Sequence, residues 1–216
     1  MFKQNDNPSN KKRVIVVTDG DHMALRALKI AAKRTRCRVI AQSAGNPTPL
    51  SGVQMVTYIR QTPYDPVIVM LDDNGDGNES GGEQALSVLL NHPDVEVIAT
   101  LAVASNTNQV DGAAVDFSID WQGNKVETAV DKNGQALSSY VIHGDTVDIL
   151  RRFDAPLVIG IGDVGKMNGH DAPERGSPVT TAALEWILSL DAKRFRDGAH
   201  SKLTASAYAE HRNARR

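Results

Sequence analysis

Short apolar runs rich in β-branched residues alternate with helix-like segments through the first half of the chain, and this alternation limits the fold more than any other feature. Residues 14–18 read V-I-V-V-T, as expected for a strand buried on both faces of a sheet. Leu25, Leu28 and Ala31 then recur at helical spacing up to about Thr35. Further strand-like runs, separated by helical patterns, occupy residues 38–43, 67–71 and 95–103. The sequence therefore predicts an α/β fold with an open, parallel, doubly wound, Rossmann-like sheet and helices on both faces.

The second half of the chain is less regular. Residues 115–121 and 124–130 alternate apolar and polar side chains, which predicts a small antiparallel hairpin. Residues 138–153 have a helical pattern interrupted near Gly144, and residues 156–161 predict another buried strand. A serine-proline pair then predicts the start of a helix that ends near residue 190.

Charge is segregated along the chain. Residues 1–13 carry a net charge of +3 and residues 191–216 carry +4, so the stretch between them carries −9. This division predicts one α/β domain over residues 13–190, between a flexible basic N-terminus (1–12) and a basic C-terminal extension (191–216).

The middle of the chain is strongly acidic. No Lys or Arg occurs between Arg60 and Lys125, a span that contains eleven Asp and Glu residues. Nucleic-acid binding needs basic side chains to neutralise phosphates, so we expect no nucleic-acid partner for this surface. A cation is the more natural ligand.

The chain has no secretory signal and no apolar stretch of about 18 residues that could span a bilayer, which predicts a protein made and kept in the cytosol. Its single cysteine, Cys37, cannot form an internal disulfide and is assigned no role.

Three of the predicted strands end in carboxylates. Asp19 and Asp21 follow the first strand, Asp72 follows the strand at 67–71, and Asp163 follows the strand at 156–161. Because the carboxyl ends of parallel strands meet at one edge of a sheet, these side chains are candidates for a shared Mg²⁺ or Ca²⁺ site. The alternative is that they only cap the helices that follow.

The loop after the 67–71 strand is a second candidate cation site. Asp72, Asn74, Asp76 and Glu83 match the calcium-loop pattern D-x-[DN]-x-[DN]-G-x5-E. A calcium loop of the EF-hand type leaves a helix, whereas this loop leaves a predicted strand. The alternative is an acidic entry into a helix, with no metal.

A long loop over residues 162–176 lies at the same predicted edge and is rich in glycine and charge, which is typical of a functional lid. Lys166, His170 and Asp171 lie in it, together with Glu174 and Arg175, but no spacing among them defines a catalytic triad or a zinc site. His143 and His170 are interpreted as ordinary surface or capping residues. No catalytic residue is assigned.

Several motifs carry a family resemblance. The runs K-R-V-I-V-V-T-D-G-D, V-M-L-D-D-N-G-D-G-N-E-S-G-G-E-Q-A-L, P-L-V-I-G-I-G-D-V-G-K-M and G-S-P-V-T-T-A-A-L-E-W-I-L resemble the stage V sporulation protein AE family over about residues 12–190. The resemblance implies a protein of spore-forming bacteria, encoded with membrane proteins that move calcium dipicolinate into the spore and release it in germination.

The resemblance also implies a location at the spore inner membrane and assistance in the response to germinants. No catalytic residue is established for the family, so none is carried over, and a non-enzymatic accessory protein is the leading hypothesis. The expected partners are the membrane proteins of the dipicolinate channel and the anionic membrane surface, to which the basic chain ends would contribute about 1 kcal/mol per Lys or Arg. A homo-oligomer is compatible with the sequence.

A more distant similarity is to Toprim domains, whose metal carboxylates also follow the first and third strands. This chain has Asp19 where a Toprim has glutamate, and Asp72-Asp73-Asn74 in place of Asp-x-Asp. The similarity implies an alternative function, a Mg²⁺-dependent phosphotransfer enzyme or nucleotide hydrolase.

Overall fold

A computed structural model describes residues 10–73, 81–105, 112–144, 146–153 and 155–196 of the chain. The strands are β1 Lys12–Val17, β2 Arg38–Val39, β3 Val67–Met70, β4 Val95–Val103, β5 Ala113–Ala114, β6 Phe117–Ile119, β7 Lys125–Val126, β8 Val141–Ile142 and β9 Val158–Ile161. The α-helices are α1 His22–Thr35, α2 Gly52–Gln61, α3 Gly81–Asn91, α4 Ile149–Arg152 and α5 Pro178–Arg196.

Seven strands form one sheet in the order β2-β3-β1-β4-β9-β6-β7. All neighbouring pairs are parallel except β6 and β7, which form an antiparallel pair at the edge. β5 and β8 form a separate two-stranded antiparallel sheet. The predicted α/β class, the parallel sheet and the hairpin of β6 and β7 are confirmed.

The sheet has an apolar layer on each face, which explains why its strands read as continuous apolar runs. In β1, Val14 and Val16 pack into the layer that includes Ile59 of α2. Ile15 and Val17 pack into the opposite layer, which includes α1 and α5 residues. The strand is therefore buried on both sides, and only its first two residues, Lys12 and Arg13, are partly exposed.

The strand predicted at 38–43 is shorter than expected. β2 ends at Val39, and residues 41–43 form a 3₁₀ turn. The hydroxyl of Ser43 donates to the carbonyl of Ile40 and accepts from the N–H of Met70 in β3. This side chain takes the place that a strand backbone would have beside β3, so the strand stops early.

The helical prediction for residues 138–153 is wrong for most of its length. Val141 and Ile142 form β8, where Ile142 pairs with Ala113 and is fully buried. Only α4, four residues long, is helical. A strand with one buried residue and a short helix together produce apolar spacings that resemble a single amphipathic helix.

The last helix continues beyond residue 190, where the sequence suggested that the chain leaves the body. α5 extends to Arg196, and Asp191 is 3% exposed. The reason is an ion pair between Asp191 and Arg13 at the start of β1. A guanidinium nitrogen of Arg13 lies 2.6 Å from a carboxylate oxygen of Asp191. The division of the chain into a domain and two basic ends stays a prediction.

Candidate functional site

Three carboxylates meet at the C-terminal edge of the sheet. Asp19 and Asp21 follow β1, Asp163 follows β9, and one oxygen of each side chain lies within 4.8 Å of the other two. The structure thus brings together three of the four candidates predicted at the strand ends, and the fourth, Asp72, is not a member of this group. We call Asp19, Asp21 and Asp163 the carboxylate cluster.

The turn after β1 fixes the first two members of the cluster. One oxygen of Asp19 accepts the N–H of Asp21 at 2.9 Å. One oxygen of Asp21 accepts the N–H of Ala24 at 2.7 Å and so caps the N-terminus of α1. Capping occupies only one oxygen of Asp21, so its second oxygen remains available to the cluster.

Gly20 lies between these two aspartates because the chain is too crowded there for a side chain. Its N–H donates to the carboxylate of Asp72 at 3.1 Å. A Cβ at this position would collide with the carbonyl oxygen of Gly45 and with the side chain of Asp72. Glycine at position 20 is therefore a packing requirement of this turn.

Lys166 is the counter-ion of the cluster. Its ammonium nitrogen lies 2.7 Å from Asp21 and 3.0 Å from Asp163. The sequence placed Lys166 in the long loop after β9 but gave it no function, and only the three-residue spacing from Asp163 hinted at this contact. The side chain of Lys166 is 44% exposed, so it can leave the cluster without moving the backbone.

Burial and crowding of like charge alter the acidity of the cluster. The pKa of Asp19 is raised to about 7, chiefly by burial. The negative charges of Asp21 and Asp163 also raise it, whereas the N–H of Asp21 and the ammonium of Lys166 oppose the rise. Burial also raises the pKa of Asp163, against the opposing effect of Lys166.

Asp21 and Lys166 stabilise each other's charged forms. Burial alone would raise the pKa of Asp21, but hydrogen bonds from Lys166 and from the N–H of Ala24 outweigh burial and lower it. Burial alone would lower the pKa of Lys166, but its hydrogen bonds to Asp21 and Asp163 raise it. At neutral pH the cluster therefore holds at least one ionised carboxylate beside a firmly charged ammonium.

The two aspartates that follow β3 are engaged in structural hydrogen bonds. Asp72 is 5% exposed and accepts the N–H of Gly20 as well as the hydroxyl of Thr146, the latter at 3.4 Å. Asp73 accepts the N–H of Gly82 at 2.8 Å in the first turn of α3. Both carboxylates thus connect the turns at this edge of the sheet.

The calcium-loop pattern lies partly outside the described residues. Asn74 and Asp76 fall in residues 74–80, which the structure does not describe. Glu83, its last member, has both oxygens within 2.8 Å of a nitrogen of Arg152. Binding of Ca²⁺ through Glu83 would require this ion pair to open. Cation binding by the loop stays a prediction.

The long loop after β9 is held by a buried aspartate. Asp171 has no exposed surface, and its carboxylate accepts the N–H of Gly165 together with the N–H and the hydroxyl of Thr180. These bonds connect the loop to the first turn of α5. His170 next to it packs against the ring of Trp121, with 4.5 Å between ring centroids. The sequence did not single out Asp171, because no fixed spacing relates it to its partners.

No helix in the described ranges combines the length and apolarity needed to cross a membrane.

Comparison with known proteins gives one family. The family model for stage V sporulation protein AE1 matches residues 13–190. This range includes most of α5 and all the strands, apart from the first residue of β1. Searches of curated proteins and of solved structures gave no match. The match confirms the resemblance seen in the motifs and covers the whole carboxylate cluster. The chain belongs to the stage V sporulation protein AE1 family and has a sporulation-related role.

Proposed function

We propose that this protein is a non-enzymatic accessory protein of spore formation and germination. In this proposal it lies at the inner membrane of the spore, acts with the membrane proteins that move calcium dipicolinate, and holds a divalent cation at the carboxylate cluster. The observation that supports the biological role is the family match over residues 13–190.

The geometry of the cluster supports the cation part of the proposal. Three carboxylates within 4.8 Å of one another carry a formal charge of −3 when ionised, and Lys166 compensates only one of these charges. Oxygen ligands of this kind suit Ca²⁺ and Mg²⁺. A bound divalent cation would take over the role of the ammonium group and would favour the ionised form of Asp19, whose pKa of about 7 otherwise keeps it partly protonated.

Calorimetric titration with Ca²⁺ and with Mg²⁺ tests this site. Asp163→Asn should weaken binding at least about tenfold, since even supporting groups of metal sites contribute a factor of 10 to 100. Lys166→Met should strengthen binding, because it removes the ammonium that competes with the cation. Glu185→Gln, on the exposed surface of α5, changes the net charge by the same amount as Asp163→Asn and should leave binding unchanged.

The same titration separates the cluster from the calcium-loop pattern. If Asp76→Asn abolishes the binding heat while Asp163→Asn leaves it intact, the cation belongs to the loop and the cluster assignment is wrong. Absence of heat with both ions in the unmodified protein would remove the cation from the proposal and leave only the accessory role.

A second candidate function is Mg²⁺-dependent phosphoryl transfer, and the position of Lys166 beside the carboxylate cluster favours it. Carboxylate oxygens of the cluster could hold Mg²⁺, and Lys166 could neutralise a phosphate. If this is the function, the protein with Mg²⁺ should hydrolyse some nucleotide or phosphomonoester, and Asp19→Asn should abolish turnover without unfolding the chain. The accessory role predicts no turnover in either protein.

A further inference from the structure

One block of the sequence contains only basic charges. From His22 to Tyr64 there are seven Lys and Arg residues and no Asp or Glu. On α1 the charged side chains are all basic and all exposed. The buried positions of the helix are alanine and leucine, which pack on the sheet. This block directly precedes the acidic stretch of the chain, so the two signs of charge are separated in sequence.

The fold places part of this block at one end of the molecule. α1 ends at Thr35, and β2 begins at Arg38, which pairs with Val67, the first residue of β3. The end of α1 and the start of β2 therefore lie at the N-terminal edge of the parallel sheet. Lys33, Arg36 and Arg38 are exposed there.

The end of α5 reaches the same edge. Asp191 pairs with Arg13 of β1, and Arg194 lies 3.8 Å from Glu96 near the start of β4. Lys193, between them in sequence, is exposed. We call Lys33, Arg36, Arg38 and Lys193 the basic pole.

Both basic ends of the chain also begin at this edge. The described chain starts at Asn10, two residues before β1, and finishes at Arg196, at the end of α5. The residues outside these limits contain five further Lys and Arg against three Asp and Glu. The described part of the chain therefore begins and ends at the edge that carries the basic pole.

Three other cations at this edge are paired with carboxylates. Arg13, Arg60 and Arg194 each lie within 4.0 Å of a carboxylate. Among the residues that the structure describes, no carboxylate lies within that distance of Lys33, Arg36, Arg38 or Lys193. Arg38 instead lies over the ring of Tyr64, at 5.8 Å.

We propose that the basic pole is the surface through which the folded domain docks on an anionic lipid bilayer, with the carboxylate cluster facing away from the membrane. The proposal rests on the proposed peripheral role and adds the orientation of the domain. The two sites lie at opposite ends of β1, whose six residues span about 20 Å, so the cluster would stay open to solvent and to partners.

The observations favour a bilayer over a nucleic acid. Sites for single strands combine cations with free aromatic rings on which bases stack. At the basic pole the exposed ring of Tyr64 is instead overlain by Arg38. Cations spread over one end of a domain, beside two basic chain ends, suit a flat anionic surface, to which each Lys or Arg adds affinity.

Sedimentation of the full chain with vesicles of phosphatidylglycerol and phosphatidylcholine tests the proposal. The triple variant Lys33→Gln, Arg36→Gln and Lys193→Gln should bind roughly 100-fold more weakly than the unmodified chain, because each cation is worth about fivefold. The matched control is Lys125→Gln, Arg151→Gln and Arg175→Gln, which removes the same charge from exposed residues away from the basic pole and should bind normally. Thermal unfolding shows whether each variant is folded.

The outcomes separate the orientation from the peripheral role itself. If the unmodified chain binds and both variants bind equally well, the basic pole is not the docking surface, although the peripheral role survives. If the unmodified chain does not bind vesicles at low salt, the peripheral role is wrong, and so is the proposed orientation of the domain. Binding to a duplex or single-stranded oligonucleotide but not to vesicles would overturn the proposal in favour of nucleic acid.

Discussion

Replacement of Arg13 by methionine is expected to lower the free energy of unfolding by about 3–5 kcal/mol. The guanidinium of Arg13 lies 3.2 Å from Asp65 and 2.6 Å from Asp191, whose side chains are 1% and 3% exposed. Methionine fills a similar volume but leaves both carboxylates buried without their counter-ion. The loss is large because water cannot reach these carboxylates to compensate.

Urea unfolding measures this effect, and two further variants sharpen it. Arg60→Gln breaks an ion pair whose side chains are 63% and 46% exposed, so it should cost at most about 1 kcal/mol. Adding Asp65→Asn and Asp191→Asn to Arg13→Met should recover part of the stability, because no uncompensated charge then remains. If Arg13→Met is no worse than Arg60→Gln, the buried network does not hold α5 to β1.

The parallel sheet was predictable because burial on both faces leaves a plain signature in the sequence. After its first two residues β1 reads V-I-V-V, and β4 is apolar at seven of its nine positions. α1 shows helical spacing with an aspartate at its N-cap. The elements that were mispredicted are short. β8 has two residues and α4 has four, so neither is long enough for its period to be distinguished from that of the other.

The candidate site was predictable only to the level of topology. Parallel strands bring their carboxyl ends to one edge, so Asp19 and Asp163 could be placed together from sequence alone. The function of Lys166 could not be predicted, because its contact with the cluster depends on the path of an irregular loop that returns to it. The structural use of Asp72 was equally hidden, since its partner Gly20 lies in another turn, 52 residues away.

The cluster should make stability depend on pH in an unusual direction, and Asp19→Asn should remove the part of that dependence that Asp19 contributes. The pKa of Asp19 is raised from its ordinary value of 3.8 to about 7 in the folded protein. Between these two values the folded chain binds a proton that the unfolded chain has released. Stability contributed by this group is therefore present at low pH and is lost as the pH rises from about 4 to 7.

Unfolding of both proteins at pH 4.5 and pH 8 measures this effect. Asparagine has nearly the same shape as aspartate and no charge to bury. From pH 4.5 to pH 8 the free energy of unfolding of the variant should therefore rise by about 2–4 kcal/mol relative to that of the unmodified protein. The lower figure allows for water screening a half-buried carboxylate. A stability difference that is the same at both pH values would mean that Asp19 is ionised throughout. Saturating Ca²⁺ at pH 8 should narrow this stability difference, because a cation in the cluster favours the aspartate form and so stabilises the unmodified protein more than the variant.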